Sequence, residues 1–431
     1  MSVKTRWERV TLNARTALHT RRLLSDFSAD AETVQAIQER KLQRLLTHAF
    51  ETFPFYRDRF QQAGLHPRDI RRTEDLAQLP LLTKDEYRDF TLSVVEKRPQ
   101  YYAAWYLDGT SGSTGMPLRI WRTWEERAYM VAKWMRTLFL NGYRWTDVTF
   151  SLPSPHRLQK DSLLQRFGVM RRYSVAYTAP VEEMVEQYLK VRPTVLYANK
   201  SQLVQMALFC SRRGIALPRP RFYVCAAETL DANSRSTIVE AFGDRLFEVY
   251  GGTEFNNLAF QIIGEDYLHF SHTTNVLELL EDGAPREDRG YCAITDLHIY
   301  SFPLIRYQLG DYIETEVREG LRVIKKIRGR LDDWVIFEDG TRKPFHPFYE
   351  IMERRPEVRQ FRIVQETLRH IRVLVVRDPA SDPEKLAHML IHDLRSEVRD
   401  NDVDYTIEWK DDIPPDPNGK LRMIVSNLKQ A

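Results

Sequence analysis

Between residues 181 and 250, three short apolar runs alternate with helical segments. The runs are TVLYA at 194–198, FYVCA at 222–226 and LFEVY at 246–250. Each is strand-length and rich in β-branched or aromatic residues, which suit a pleated, buried surface. The intervening segments carry helix signals. VEEMVEQYLK precedes the first run, and SQLVQMALFCSRRG ends on Gly214 where a left-handed cap belongs. A third helix opens on Asp231, whose carboxylate can accept the orphan N–H groups of a first turn. Strands joined through helices run parallel, because a crossover needs a dozen or more residues while an antiparallel return needs only a tight turn. An α/β fold with βαβ units follows. In such sheets ligands bind beyond the carboxyl ends of the strands. The polar cluster GGTEFNN at 251–257 stands at such an end and is the first indication of a site.

The flanks read differently. The first hundred residues are mainly helical, with Val34, Ile37, Leu42, Leu45 and Leu46 at helical spacing within 32–52. A further helix is expected over 124–140, placing Met130, Trp134 and Leu138 on one face. After the polar stretch IRGRLDD, the tail runs WVIF, an Asp339-Gly340 turn, a helix near 346–353, strands RQFRIV and HIRVLVV, an amphipathic helix at 383–399 and a strand DYTIEW. This predicts a large N-terminal α/β domain at 1–331 and a small C-terminal α+β lid domain at 332–431.

Composition limits the partners. Sixty-three basic and sixty acidic residues leave a formal net charge of +3 with both signs interspersed, so neither a nucleic acid nor a membrane partner is required. No apolar run approaches the roughly 20 residues of a membrane span. The basic N-terminus lacks the apolar segment of a secretory signal and reads as a surface helix. Three scattered cysteines (Cys210, Cys225 and Cys292) form no CxxC pair, so a disulfide framework is not indicated and a reducing cytoplasm fits. The triplet Asn199-Lys200-Ser201 matches a glycosylation acceptor by chance in that setting.

The densest chemistry lies at Asp108–Pro117 (DGTSGSTGMP), where three glycines and four hydroxyl residues fall within 109–116. Glycine lets backbone approach an anion, and clustered N–H and O–H groups can ligate phosphate oxygens. The loop lacks the Gly-Lys-Ser/Thr ending of a P-loop and the GxGxxG of a dinucleotide fold. TSGSTGMP resembles the phosphate-binding loop of the adenylate-forming superfamily. So do, in order, Tyr250-Gly251-Gly252-Thr253-Glu254, the Arg306–Asp311 element (RYQLGD), the Gly329–Asp333 hinge (GRLDD) and the Pro417–Arg422 lysine loop (PNGKLR). Within that superfamily PLIRYQLGDYIE at 303–314, FPFYRDRF at 53–60 and LPLLTKDEYRDF at 79–90 resemble the phenylacetate–CoA ligase-like branch, with its CapK-type and coenzyme F390 synthetase-like relatives.

The resemblance implies ATP and Mg²⁺ as cofactors, a carboxylic acid as substrate and an acyl-AMP as product. Thr110, Ser111, Gly112, Ser113, Thr114 and Gly115 would hold the β- and γ-phosphates. Thr253 would touch the α-phosphate, Glu254 would hold Mg²⁺, Tyr250 would pack beside the adenine, and Gly251 and Gly252 would also bind ATP. Asp311 and Arg330 would contact the ribose, Asp332 would be the hinge pivot, and Lys420 would reach the α-phosphate and the acyl carboxylate. Coenzyme A is the expected acyl acceptor. An amine, a hydroxyl or a carrier-protein thiol is the alternative, and a non-catalytic nucleotide-binding protein that kept the fold is the alternative of another class.

From strand position, the acyl pocket is expected at Tyr197, Ala198 and Asn199 and at Ala226, Ala227 and Glu228, with 150–155 as a further wall. The segment EDGTRKPFHPFYEIM after the hinge departs from the usual pattern of the branch, which leaves the acceptor contacts open. Some capsule-type relatives place a structural zinc after the Tyr-Gly motif. Here only His269 and His272 occur there without a nearby cysteine, so zinc is not expected. Arg171 and Arg172 read as a solvated face, and a homodimer is compatible with the sequence.

Overall fold

The computed structural model describes residues 11–109, 118–155, 158, 163–281, 283–330, 334–344, 346–398, 403–416 and 421–428. The chain forms two compact units, residues 1–143 with 250–327, and residues 144–249 with 328–431.

In the first unit the leading segment is helical as expected. Asp30 caps the helix Ala31–Thr52 by accepting the Thr33 N–H, and the helix buries Val34, Leu42, Leu45, Leu46 and Ala49. Reciprocal capping boxes open Lys84–Val95 (Thr83 with Glu86) and Trp124–Leu140 (Thr123 with Glu126). The last of these, predicted at 124–140, is buried almost all round. It carries Lys133 and Arg136 into the interior beside Met130, Met135 and Leu138. Residues 259–330 have no helical period and form an antiparallel-dominated sheet in the order Ala284–Arg286, Asn275–Glu281, Arg289–Asp296, Tyr307–Arg318, Leu321–Arg330, Leu268–Phe270 and Ala259–Gln261. The first-unit core joins Leu42, Leu45, Phe60, Phe90, Ile120, Phe255, Ile294, Phe302 and Tyr307.

The second unit contains the βαβ pattern. Its strands lie in the order Leu246–Tyr250, Phe222–Ala226, Val195–Asn199, Val148–Ser151 and Arg171–Ser174, all parallel. The helix Lys200–Arg213 stops at Gly214, which takes φ +63°, and Asp231 accepts the Ser234 N–H at 2.7 Å to open Ala232–Phe242. Val181–Val191 ends on Arg192 at φ +47° without a glycine. In the tail, Trp334–Ile336 and Arg342–Pro344 form a hairpin around Gly340 at φ +80°. A mixed sheet follows in the order Asp404–Trp409, His370–Arg377, Val358–Gln365 and Ile424–Ser426. The helix Pro383–Val398 buries Leu386, Leu390, Leu394 and Val398, a four-residue spacing that places one stripe in the core. No described helix is long and apolar enough to cross a membrane.

Candidate functional site

The GGTEFNN turn follows the strand Leu246–Tyr250 and folds tightly on itself. The N–H groups of Phe255 and Asn256 both donate to the Gly252 carbonyl, and Asn256 takes φ +60°. Residue 251 must be glycine: a Cβ there would lie 1.8 Å from the Asn256 carbonyl oxygen. Buried cations hold the turn from beneath. Arg122, 2% exposed, donates to the carbonyls of Thr253 (2.7 Å) and Glu254 (2.6 Å). Lys133, fully buried, donates to the Phe255 carbonyl at 2.9 Å. Burial disfavours its charged form and lowers its pKa to about 8. With their carbonyls drawn inward, the Thr253 hydroxyl and the Glu254 carboxylate are left for other partners.

Two tyrosine–carboxylate bonds tie this turn to the Arg306–Asp311 element. Tyr250 Oη donates to Asp311 Oδ2 at 2.8 Å. Tyr307 Oη donates to Glu254 Oε1 at 3.2 Å. The Tyr250 hydroxyl is raised well above its ordinary value, first by burial and then by the adjacent Asp311 carboxylate, so it stays protonated as a donor. Each motif thus supplies one tyrosine to orient the other motif's carboxylate. Arg306 is an anchor rather than a site group. It is 5% exposed, sits at φ +52°, and spends its guanidinium on Glu278 (2.8 Å) and on the carbonyls of Ala77 and Leu79.

The other predicted residues divide. Thr110 to Gly115, Asp332 and Lys420 lie outside the described residues. Arg330 ends the strand Leu321–Arg330, and its side chain lies outside the description. Asn199 and Ala226 are register neighbours at the ends of their strands, and Ala227 takes φ +68° just beyond. Ala198 is fully buried in the second unit's core, while Tyr197 is half-buried. The Glu228 carboxylate accepts the Ser201 N–H at 2.9 Å and the Leu421 N–H at 2.7 Å. His269 Nε2 bonds Glu265, and His272 Nε2 bonds the Arg322 carbonyl, with burial lowering His272 to about 4. Among the described residues, no group of three or more His, Cys, Asp or Glu side chains could hold a metal ion by itself. A lone carboxylate such as Glu254 still suits Mg²⁺, which commonly takes one or two carboxylates and fills its shell with phosphate oxygens and water. Arg171 and Arg172 are exposed on an edge strand.

Sequence reasoning missed Arg122 and Lys133, and also Lys200, whose ammonium lies 3.2 Å from Asp231 with both side chains buried. For Arg122 and Lys133 the one signal was a charged residue inside an apolar stretch, and Lys200 at the start of its helix gave none.

The chain is similar to known proteins. Residues 346–427 match the CapK C-terminal domain model. The chain is 26% identical over 333 residues to a phenylacetate–coenzyme A ligase of Pseudomonas putida, covering 71% of this chain and 73% of that protein. It is 23% identical over 440 residues to a phenylacetate–coenzyme A ligase of Thermus thermophilus, covering 92% and 97%. It is 21% identical over 418 residues to protein CapK of Staphylococcus aureus, covering 91% and 89%. In fold it is similar to 2-hydroxyisobutyryl-CoA ligase solved in the postadenylation state with R3-HIB-AMP, with a TM-score of 0.73 at 18% identity over 93% of this chain and 91% of that one. The tail matches the CapK C-terminal domain model, and over most of its length the chain is similar to phenylacetate–coenzyme A ligases and to CapK and shares the fold of an acyl-CoA ligase.

Proposed function

We propose that this chain is an AMP-forming acid–thiol ligase. In the first half-reaction a carboxylate oxygen of the acid attacks the α-phosphorus of ATP. The bond from that phosphorus to the bridging oxygen breaks, and pyrophosphate leaves. In the second, the thiol of coenzyme A attacks the acyl carbonyl, the thioester forms, and AMP leaves with the mixed-anhydride oxygen. The reciprocal pairing of Tyr250 with Asp311 and of Tyr307 with Glu254 supports this reading, because it orients one carboxylate that would accept the ribose hydroxyls and one that would hold Mg²⁺. The names of the relatives support an acid as substrate and coenzyme A as acceptor.

Residues 1–331 would bind ATP and the acid, and 332–431 would carry Lys420 across the Asp332 hinge. The loop Thr110–Gly115 would hold the outer phosphates, Thr253 the α-phosphate, and Asp311 with Arg330 the ribose. Asp311 suits two hydroxyl donors because a carboxylate only accepts. Mg²⁺ on Glu254 would neutralise charge on the phosphates. Lys420 would stabilise the charge that builds at the α-phosphate as the new bond forms, an electrostatic role that works best where water is excluded.

The test is ATP–pyrophosphate exchange with Mg²⁺ across aryl, fatty, hydroxy and amino acids, with Lys420→Ala as control. Exchange should depend on one acid class and fall at least about 100-fold in the variant. Near wild-type exchange in Lys420→Ala removes the lysine from the reaction. Binding of ATP with silence across the panel supports a non-catalytic nucleotide-binding protein. Adding coenzyme A should yield an acyl-CoA, whereas turnover only with an amine, hydroxyl or carrier thiol moves the acceptor to that class.

A further inference from the structure

The helix Lys200–Arg213 opens on two buried polar residues, Lys200 at 2% and Ser201 at 1% exposure. A lysine there is locally unfavourable. The first turn of a helix carries the positive end of its dipole, and burial adds a desolvation cost. Asp231 offsets both, with Oδ2 3.2 Å from Lys200 Nζ. Asp231 is in turn held by the Ser234 N–H and hydroxyl, each at 2.7 Å. The pair is thus buried and held through Asp231.

Beside it, Glu228 gathers three donors. They are the Ser201 N–H at 2.9 Å, the Ser201 hydroxyl, and the Leu421 N–H at 2.7 Å. The Leu421 N–H also lies 3.2 Å from Ser201 Oγ. Met423 Sδ lies 3.7 Å from Lys200 Nζ. The Leu421 side chain is 6% exposed and packs with Val376 and Ile413. Three residues further on, Ile424–Ser426 joins the sheet by pairing with Val358–Gln365. The Leu421 amide nitrogen is bonded to the carbonyl carbon of Lys420, so this contact grips the peptide unit that the lysine itself helps to form.

We propose that Glu228 and Ser201 form a seat for the Leu421 amide and act through it as positioning residues for Lys420, with the Lys200–Asp231 pair holding the seat in place. The proposal rests on the reading of Lys420 as the adenylation lysine. A carboxylate acceptor makes this amide bond charge-assisted, about twice as strong as a neutral one. The seat also accounts for Glu228 by a contact to the backbone of the tail, in place of the acyl-pocket role expected from its strand position.

The test follows the Leu421 amide and the chemistry separately in the full-length protein. In Glu228→Ala and Ser201→Ala, hydrogen–deuterium exchange at Leu421 should speed up roughly 10- to 100-fold. The amides of Ile424–Ser426 should stay as slow as in the wild type. In pyrophosphate exchange, kcat should fall roughly 10- to 100-fold while KM for ATP stays within about twofold. Glu228→Gln, which keeps one acceptor oxygen, should be intermediate in both. If Glu228→Ala fails to fold, Ser201→Ala, which removes only a hydroxyl, carries the same two readouts. Unchanged exchange at Leu421 overturns the seat, whatever happens to activity. Faster exchange with unchanged kcat overturns the positioning role. A higher KM for the acid with Leu421 undisturbed returns Glu228 to the acyl pocket. Full activity in Lys420→Ala separates the remaining case, because it defeats the reading of the lysine while leaving the hydrogen-exchange result standing.

Discussion

The Tyr250–Asp311 bond lends itself to a double-mutant cycle in which the two halves of the proposed nucleotide site are uncoupled one at a time. Tyr250→Phe removes only the hydroxyl. The ring stays in place, so no cavity term enters. At 8% exposure water cannot readily replace the lost donor, and Asp311 loses the partner 2.8 Å away that orients it. Hydrogen bonds to charged groups contribute about 1.5–3 kcal/mol, and every 1.4 kcal/mol is tenfold in rate or affinity. Tyr250→Phe should therefore lower kcat/KM for ATP in pyrophosphate exchange roughly 10- to 100-fold. Asp311→Asn should lower it by at least as much, since it weakens the same bond and also the acceptor proposed for the ribose. Once either partner is gone, removing the other costs less. The double variant should fall short of the product of the single losses by about 5- to 30-fold, a coupling of about 1–2 kcal/mol. Single losses that multiply to within about twofold would show that the two residues act independently and would refute the reciprocal-orientation argument.

Gly251→Ala should abolish adenylation, by at least about 100-fold in pyrophosphate exchange, because the new methyl would sit 1.8 Å from the Asn256 carbonyl oxygen and the turn must open. Far-UV circular dichroism should stay near wild type, and full activity would mean that the turn can move without consequence. Lys133 gives a pH-dependent stability term. Its folded pKa, about 8, lies below its ordinary 10.5, so between those values the unfolded chain binds more protons than the folded one and stability rises with pH. Measured against Lys133→Met by denaturant unfolding, wild-type stability should gain up to about 3 kcal/mol from pH 8 to 10.5, with no such trend below pH 7. A difference that stays flat across that window would show that the ammonium is not desolvated.

Local signals carried much of the fold. Asp231, Gly214, the Asp339-Gly340 turn and the apolar runs 222–226 and 246–250 all appear where short-range chemistry placed them. The amphipathic stripe of 383–398 was legible because the spacing of Leu386, Leu390 and Leu394 repeats the pitch of a helix. The antiparallel strands of 259–330 were not, because their partners are set by sheet order rather than by neighbours in sequence. Among the candidate site residues, Tyr250, Thr253, Glu254 and Asp311 stood out as motifs, but the motifs do not say which hydroxyl reaches which carboxylate.

The sequence by itself determined where the helices and parallel strands of 181–250 lie, and which short segments carry the candidate residues for phosphate, ribose and metal. Those are properties of spacing and side-chain type within a few residues of one another. Tertiary structure alone decided that Tyr250 meets Asp311 and Tyr307 meets Glu254. It also decided that Lys133 and Arg122 hold the turn by its carbonyls and that Glu228 grips the amide of Leu421. Each of these joins residues separated by dozens to nearly two hundred positions. A hydrogen bond has no sequence signature until the backbone closes the loop between its donor and its acceptor.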